Sequence, residues 1–214
     1  MGCCGQRQDR PGEVAILIDR RELAKAAREQ RLSLVMIEKD YVLGWILFGI
    51  STSLSYLILK GGTALSKVYF PKVWRLSEDL DFTLPKEVGD YDEIARIVTE
   101  MIFPEVERQS KGLKFSLKSK HQNPGYLQLK IQYLAVLETK NWLRIYVRKE
   151  ELTEPPIRKS LPKTFSDYPD FELNIKSLEA TLADKLLAMM ERTKARDYYD
   201  IWKLLKVPEL DLPR

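Results

Sequence analysis

Leu59–Phe82 reads LKGGTALSKVYFPKVWRLSEDLDF. Its flanks, Tyr56–Lys60 and Leu80–Leu84, are short apolar runs of strand character, and TALSKVYF between them suits a short helix. Side chains alternate faces along a strand, so Asp79 and Asp81 project together while Leu80 and Phe82 point into the core. Two carboxylates about 6 to 7 Å apart repel by about 2 to 3 kcal/mol at an effective dielectric of about 20. A divalent cation reverses the sign, and Mg²⁺ favours one or two carboxylates completed by substrate phosphates. An isolated pair of this kind is more often a solvated surface feature. Upstream, however, Gly61 and Gly62 permit backbone angles closed to other residues and a close approach of phosphate oxygens, and Thr63 suits a helix N-cap. The helix N-terminus then offers unpaired N–H groups to an anion. Strand, Gly-Gly turn, helix and paired aspartates together predict a site for a metal-bound triphosphate.

Around this stretch the pattern is helical at both ends. Asp19–Gln30 and Ser33–Ile50 each open on a capping residue, and the second contains the apolar run Tyr41–Ile50, too short to span a membrane and expected to be buried. Tyr91–Arg108 follows a 3.6-residue period with a break expected near Pro104. Three strand-like runs follow, Leu113–Ser119, Tyr126–Ala135 and Trp142–Arg148, separated by Asn123-Pro124-Gly125 and Lys140-Asn141. Glu154–Pro169 reads as an ordered loop, Phe171–Ile175 as a further strand, and Ser177 caps a helix with apolar positions Leu178, Leu182, Leu186, Met189 and Met190. A last helix, DYYDIWKLL, starts at Asp197, where an acid caps or stabilises a first turn whatever its chemistry. Packing is the expected role of Tyr198, Tyr199 and Trp202.

The 214 residues, 44% hydrophobic, suffice for one substantial core. The expected fold is α+β (mixed α/β), a mixed sheet flanked by helices with a helical C-terminal subdomain: residues 1–12 as a disordered lead, 13–176 as the core and 177–214 as the helical unit. Cys3 and Cys4 are adjacent, unsuited to an ordinary structural disulfide and remote from His121, which favours a cytoplasmic protein. The net charge of +4 is compatible with a polyanionic partner without identifying one. Lys111, Lys114, Lys118 and Lys120, with Arg144, Arg148 and Lys149, are a candidate basic sheet face for a phosphate backbone; a merely solvated face is the competing reading.

The Gly-Gly turn, short helix and paired aspartates resemble the DNA polymerase beta-like nucleotidyltransferases, and LKGGTAL followed by RLSEDLDF resembles the AbiEii/AbiGii toxin family within them. IEKDYVLGWIL (Ile37–Leu47) and LADKLLAMMERTKARDYYDIWKLL (Leu182–Leu205) are similar to that family's flanking segments. The resemblance implies that Lys60, Gly61, Gly62 and Thr63, with Arg75 and Ser77, bind nucleotide phosphates, that Asp79 and Asp81 hold Mg²⁺ or Mn²⁺, and that Lys185 contacts the triphosphate. Asp197 and Asp200 would be the acids of the C-terminal motif. It also implies an NTP substrate, an RNA acceptor such as a tRNA 3′ end, and an antitoxin partner.

One departure stands out. The wider superfamily places a third carboxylate on a later strand, and Tyr146 occupies that place in WLRIYV. Glu150, Glu151 or Asp200 would supply the missing function, or two aspartates suffice. The alternatives to nucleotidyl transfer are phosphotransfer to a protein or small molecule and a catalytically inactive nucleotide- or RNA-binding module.

Overall fold

The computed structural model describes residues 18–208 and 210–211. The expected lead over residues 1–12, with both cysteines, lies outside them. Helix α1 (Arg20–Gln30) and helix α2 (Leu34–Ser53) begin where the caps predict, Asp19 accepting from the Glu22 amide and Ser33 from that of Met36. α2 is buried nearly all round from Ile37 to Ile50, which explains a hydrophobic run with no clean amphipathic stripe. At Gly44 a Cβ would lie 2.2 Å from the Tyr168 hydroxyl, so only glycine lets that ring lie against the helix.

Strand β1 (Ile58–Lys60) leads into helix α3 (Gly61–Ala64), which runs on as a π turn over Leu65–Tyr69. Strand β2 (Asp79–Pro85) follows, then helix α4 (Tyr91–Ile97), a π turn over Val98–Ile102 and helix α5 (Phe103–Ser110). Pro104 therefore does not break the helix as expected: its missing amide falls in the first turn of α5, where the π turn has already shifted the ladder. Strands β3 (Lys114–Asn123), β4 (Tyr126–Leu134) and β5 (Asn141–Glu150) come next, then β6 (Ile157–Ser160), β7 (Glu172–Ile175), and helices α6 (Leu178–Glu191) and α7 (Ala195–Leu204). β3 runs four residues past the expected Ser119 and includes His121, and β6 arises inside the segment expected to be loop.

The seven strands form one mixed sheet in the order β3-β4-β5-β2-β1-β7-β6. β2 pairs antiparallel with β1 and parallel with β5. One face carries Leu80, Phe82, Leu127, Leu129, Ile145 and Val147 into the main core with α2, α4 and α5. The other carries Asp79 and Asp81. A second apolar cluster, built from Leu65, Trp74, Leu178, Leu182, Ile201 and Leu204, fastens α6 and α7 to the segment after the Gly-Gly turn.

Four consecutive residues of α2 hold four separate segments. Glu38 accepts from the Leu137 amide and Tyr41 donates to Asp167. Lys39 pairs with Glu78, and Asp40 with Lys67 at 3.0 Å. The last pair is buried, with side chains 9% and 4% exposed, and it clamps the π turn after α3. Because removing one partner strands the other charge, Asp40→Ala should lose about 3 to 5 kcal/mol in urea unfolding, and the double change Asp40→Leu/Lys67→Met should recover most of it.

Candidate active site

The Gly-Gly turn and the aspartate strand are joined at the backbone. Gly61 takes φ +71°, a left-handed conformation that favours glycine, and a Cβ there would lie 3.1 Å from Asp81 Oδ2. The helix starts at Gly61, so Thr63 is not its N-cap as expected; the Lys60 position caps it without a side-chain bond. Thr63 instead donates its hydroxyl to the Asp79 carbonyl, tying α3 to β2. Over Gly62 sit two side chains from the loop before β2: a Cβ would meet Ser77 Oγ at 3.1 Å and Arg75 Nη2 at 3.2 Å. Gly61, Gly62, Arg75, Ser77 and Asp81 therefore share one small volume.

The aspartates are under-compensated. Asp79 Oδ1 is buried without a hydrogen-bond partner, and the nearest guanidinium nitrogen, Arg144 Nη1, stands 3.8 Å away. Burial pushes the Asp81 carboxyl above its ordinary range and Asp79 adds to the push; Lys60, Lys185 and Arg148 oppose it without overcoming it. An orphaned carboxylate oxygen beside a second carboxylate on the same face is a donor set that fits a divalent cation completed by phosphate oxygens. Among the described residues no cluster of three or more His, Cys, Asp or Glu offers a fuller cage.

The C-terminal helices bring Lys185, Asp197 and Asp200 together. Both aspartates are fully buried. Lys185 Nζ lies 3.1 Å from Asp197 and 2.8 Å from Asp200. Asp200 also accepts from Trp74 Nε1 at 3.0 Å and from two nitrogens of Arg75. Burial works against the Asp197 carboxylate, but hydrogen bonds from Lys185 and Arg192 hold it below the usual range. A continuous chain thus runs from Gly62 through Arg75 and Asp200 to Lys185. Asp200 and Asp197 are occupied by cations, and their contacts are those of groups that position Arg75 and Lys185.

None of Glu150, Glu151 and Asp200, the three acids that could replace the third carboxylate, stands free. Glu150 is bound by Lys60, by Lys176 at 3.1 Å and by the Thr83 hydroxyl at 2.6 Å. Glu151 pairs with Lys86 at the surface, and Asp200 is engaged as described. Tyr146 does sit beside Asp81 in the sheet register, and burial together with Asp79 and Asp81 raises its hydroxyl further from ionisation. Lys60 and Glu150 form an ion pair at the margin of the site. Leu186 and Met190, on the apolar period of α6, and Tyr198, Tyr199 and Trp202, for which packing is expected, are all exposed, Met190 by 82%. The inward face of α6 is instead Leu178, Thr181, Leu182 and Lys185.

Residues 45–214 match a family model described as nucleotidyl transferase AbiEii toxin, type IV TA system. No curated protein matches significantly. Among solved structures, the fold is similar to MenT4, a nucleotidyltransferase toxin from Mycobacterium tuberculosis H37Rv, with TM-score 0.65 and 20% identity over 86% of this chain. The chain spans 64% of the length of that structure.

Two stability tests follow from the charges. A raised Asp81 pKa contributes stability that is fully present below its unfolded value and lost as pH rises through the folded one, so the ionised form burdens the fold. Asp81→Asn should raise the urea midpoint at pH 7, and the gain should shrink as pH falls. For Glu150, burial alone would raise the carboxyl, but Lys60, Thr83 and Lys176 bring it down to about 2 from 4.5. Its contribution is fully present above pH 4.5 and lost as pH falls through about 2, so Glu150→Gln should flatten the stability profile in that window.

Proposed function

The chain belongs to the AbiEii nucleotidyltransferase toxin family of type IV toxin–antitoxin systems, and on that premise we propose that it moves a nucleotidyl group from an NTP to a hydroxyl of RNA, with a tRNA 3′ end as the acceptor class. The acceptor hydroxyl gives up its proton to solvent as its oxygen forms a bond to the α-phosphorus, the bond from that phosphorus to the oxygen bridging to the β-phosphorus breaks, and pyrophosphate leaves with the electron pair. The observation that carries this reading is the Gly61-Gly62 turn set against Asp81, with an unpartnered Asp79 oxygen on the same face.

In this reading the backbone at Gly61 and Gly62 lets the triphosphate approach closely, and Arg75 and Ser77 contact it from above. Asp79 and Asp81 hold Mg²⁺ or Mn²⁺, which when bound neutralises phosphate charge. Lys185, steered by Asp197 and Asp200, directs its ammonium toward the phosphates and stabilises the charge on the departing pyrophosphate. Lys60 and Thr63 act from the ends of the turn, through Glu150 and the Asp79 carbonyl. Helices α6 and α7 form the second wall of the cleft. A cytoplasmic location and restraint by an antitoxin complete the proposal; among the described residues no helix is long and apolar enough to cross a membrane.

The test is incubation with each α-labelled NTP, Mg²⁺ and total cellular RNA. Label should enter RNA, chelation should stop it, and Asp79→Ala or Asp81→Ala should lower incorporation by about 10² to 10³-fold, the equivalent of several kcal/mol of charge stabilisation. Label retained from the γ-position instead of the α-position would replace this reading with phosphotransfer. Nucleotide binding without pyrophosphate release would replace it with an inactive binding module.

A further inference from the structure

Asp79 and Asp81 have unlike neighbours on their two sides. Toward β1 lies the Gly-Gly turn with Arg75 and Ser77. Toward β5 the sheet continues through β4 to the β3 edge, and the register fixes what stands there. Asp79 pairs with Arg144, which pairs with Lys130; Asp81 pairs with Tyr146, then Gln128; Thr83 pairs with Arg148, then Tyr126. Paired positions share a face, and Leu127, Leu129, Ile145 and Val147 at the alternating positions fill the core. The rows beginning at the aspartates therefore run out across the open face.

This face is basic and aromatic. The strands β3, β4 and β5 contain one acid, Glu150, and Lys60 and Lys176 neutralise it. Lys130 and Arg148 have no carboxylate partner among the described residues, whereas Lys114 and Lys120 pair with Glu107 and Asp92 of the helical layer. Lys149 turns to that layer too, over the Tyr91 ring. The basic surface therefore differs from the one suggested by the β3 lysines: it comprises Lys130, Arg144 and Arg148. Trp142 is 42% exposed, and Lys130 Nζ lies 4.6 Å from its ring centroid. Lys130 stands two strands from Asp79, about 10 Å at ordinary strand spacing.

We propose that the open face of β4 and β5 docks the acceptor as single-stranded RNA, with Lys130, Arg144 and Arg148 on its phosphates and a base stacked at Trp142. Positive charge that only Asp79, beside Arg144, offsets in part complements a polyanion, an exposed indole accepts any base, and the surface is continuous with the carboxylates. The word acceptor rests on the nucleotidyl-transfer reading; the docking does not. With the triphosphate on the β1 side, the RNA end reaches Asp79 and Asp81 from the β5 side.

The experiment measures binding of a fluorescein-labelled single-stranded RNA of about 12 nucleotides by anisotropy across a salt series. It uses the full chain and the variants Lys130→Ala and Trp142→Ala, with Lys163→Ala, whose partner is Asp170, as a remote control. Both site variants should weaken binding by about 10-fold, and Lys130→Ala should lower the salt slope by about 0.7. Thermal melting checks that each variant is folded. In the incorporation assay the RNA KM should rise while the NTP KM stays constant. Unchanged RNA affinity in both variants overturns the docking surface even if wild type labels RNA, and so does an absence of RNA binding by wild type, which would point to a protein partner. Lost affinity in the variants without any labelling by wild type keeps the surface and removes the transfer reading.

Discussion

The arrangement around the Gly-Gly turn depends on Asp200, a carboxylate with no solvent exposure that accepts from Arg75 and Trp74 on the core side and pairs with Lys185 on α6. A buried group of this kind adds little net stability, because desolvation consumes most of the Coulomb gain. What it supplies is geometry. Arg75 is pinned over Gly62 and Lys185 is kept near enough to influence Asp81, so side chains more than a hundred positions apart in sequence face one volume. The apolar contacts of Leu65 and Trp74 with Leu178, Leu182, Ile201 and Leu204 press the helices into place, and the ions set how they sit.

The two ends of this network are balanced oppositely. At Asp197 and Asp200, carboxylates and cations are matched and buried. At Asp79 and Asp81 they are not: one oxygen lacks a partner and one carboxyl is pushed up by burial. The fold tolerates the second situation because Thr63, Gly61 and the β1–β2 and β2–β5 pairings determine β2 independently of the charges it carries. Cost concentrated where a ligand of opposite charge can relieve it is what a binding site for a cation and a polyphosphate requires.

Much of this was legible in the chain because it is local. Caps at Asp19, Ser33 and Ser177, alternation along β4 and β5, and the spacing of Asp79 and Asp81 depend on near neighbours alone. The misses are nonlocal. α6 is apolar on several sides, so periodicity could not say that the inward face includes Lys185, which only the acids of α7 make tolerable there. Thr63 looked like a cap because its partner, the Asp79 carbonyl, is reached through tertiary packing. β6 exists by pairing with β7, and its own four residues are all exposed. The β3 lysines looked like one surface, but a bulge between Leu117 and Ser119 breaks the alternation and Glu107 and Asp92 claim two of them.

Tyr146 fits the same electrostatic logic. A carboxylate there would stand one strand from Asp81, itself already pushed up by burial and Asp79, and each further like charge at about 6 to 7 Å would add about 2 to 3 kcal/mol of repulsion. A neutral phenol removes that load and leaves a hydroxyl that donates and accepts hydrogen bonds. With Glu150 already held by Lys60, Lys176 and Thr83, the face keeps two negative groups ringed by fixed cations: Arg144 in the row of Asp79, Arg148 in the row of Thr83, and Lys185 on α6. The balance of charge around the pair therefore favours an incoming polyanion more strongly than a three-carboxylate site would, and it does so most on the β5 side, where Arg144 faces Asp79 at 3.8 Å and Lys130 and Arg148 have no carboxylate partner among the described residues.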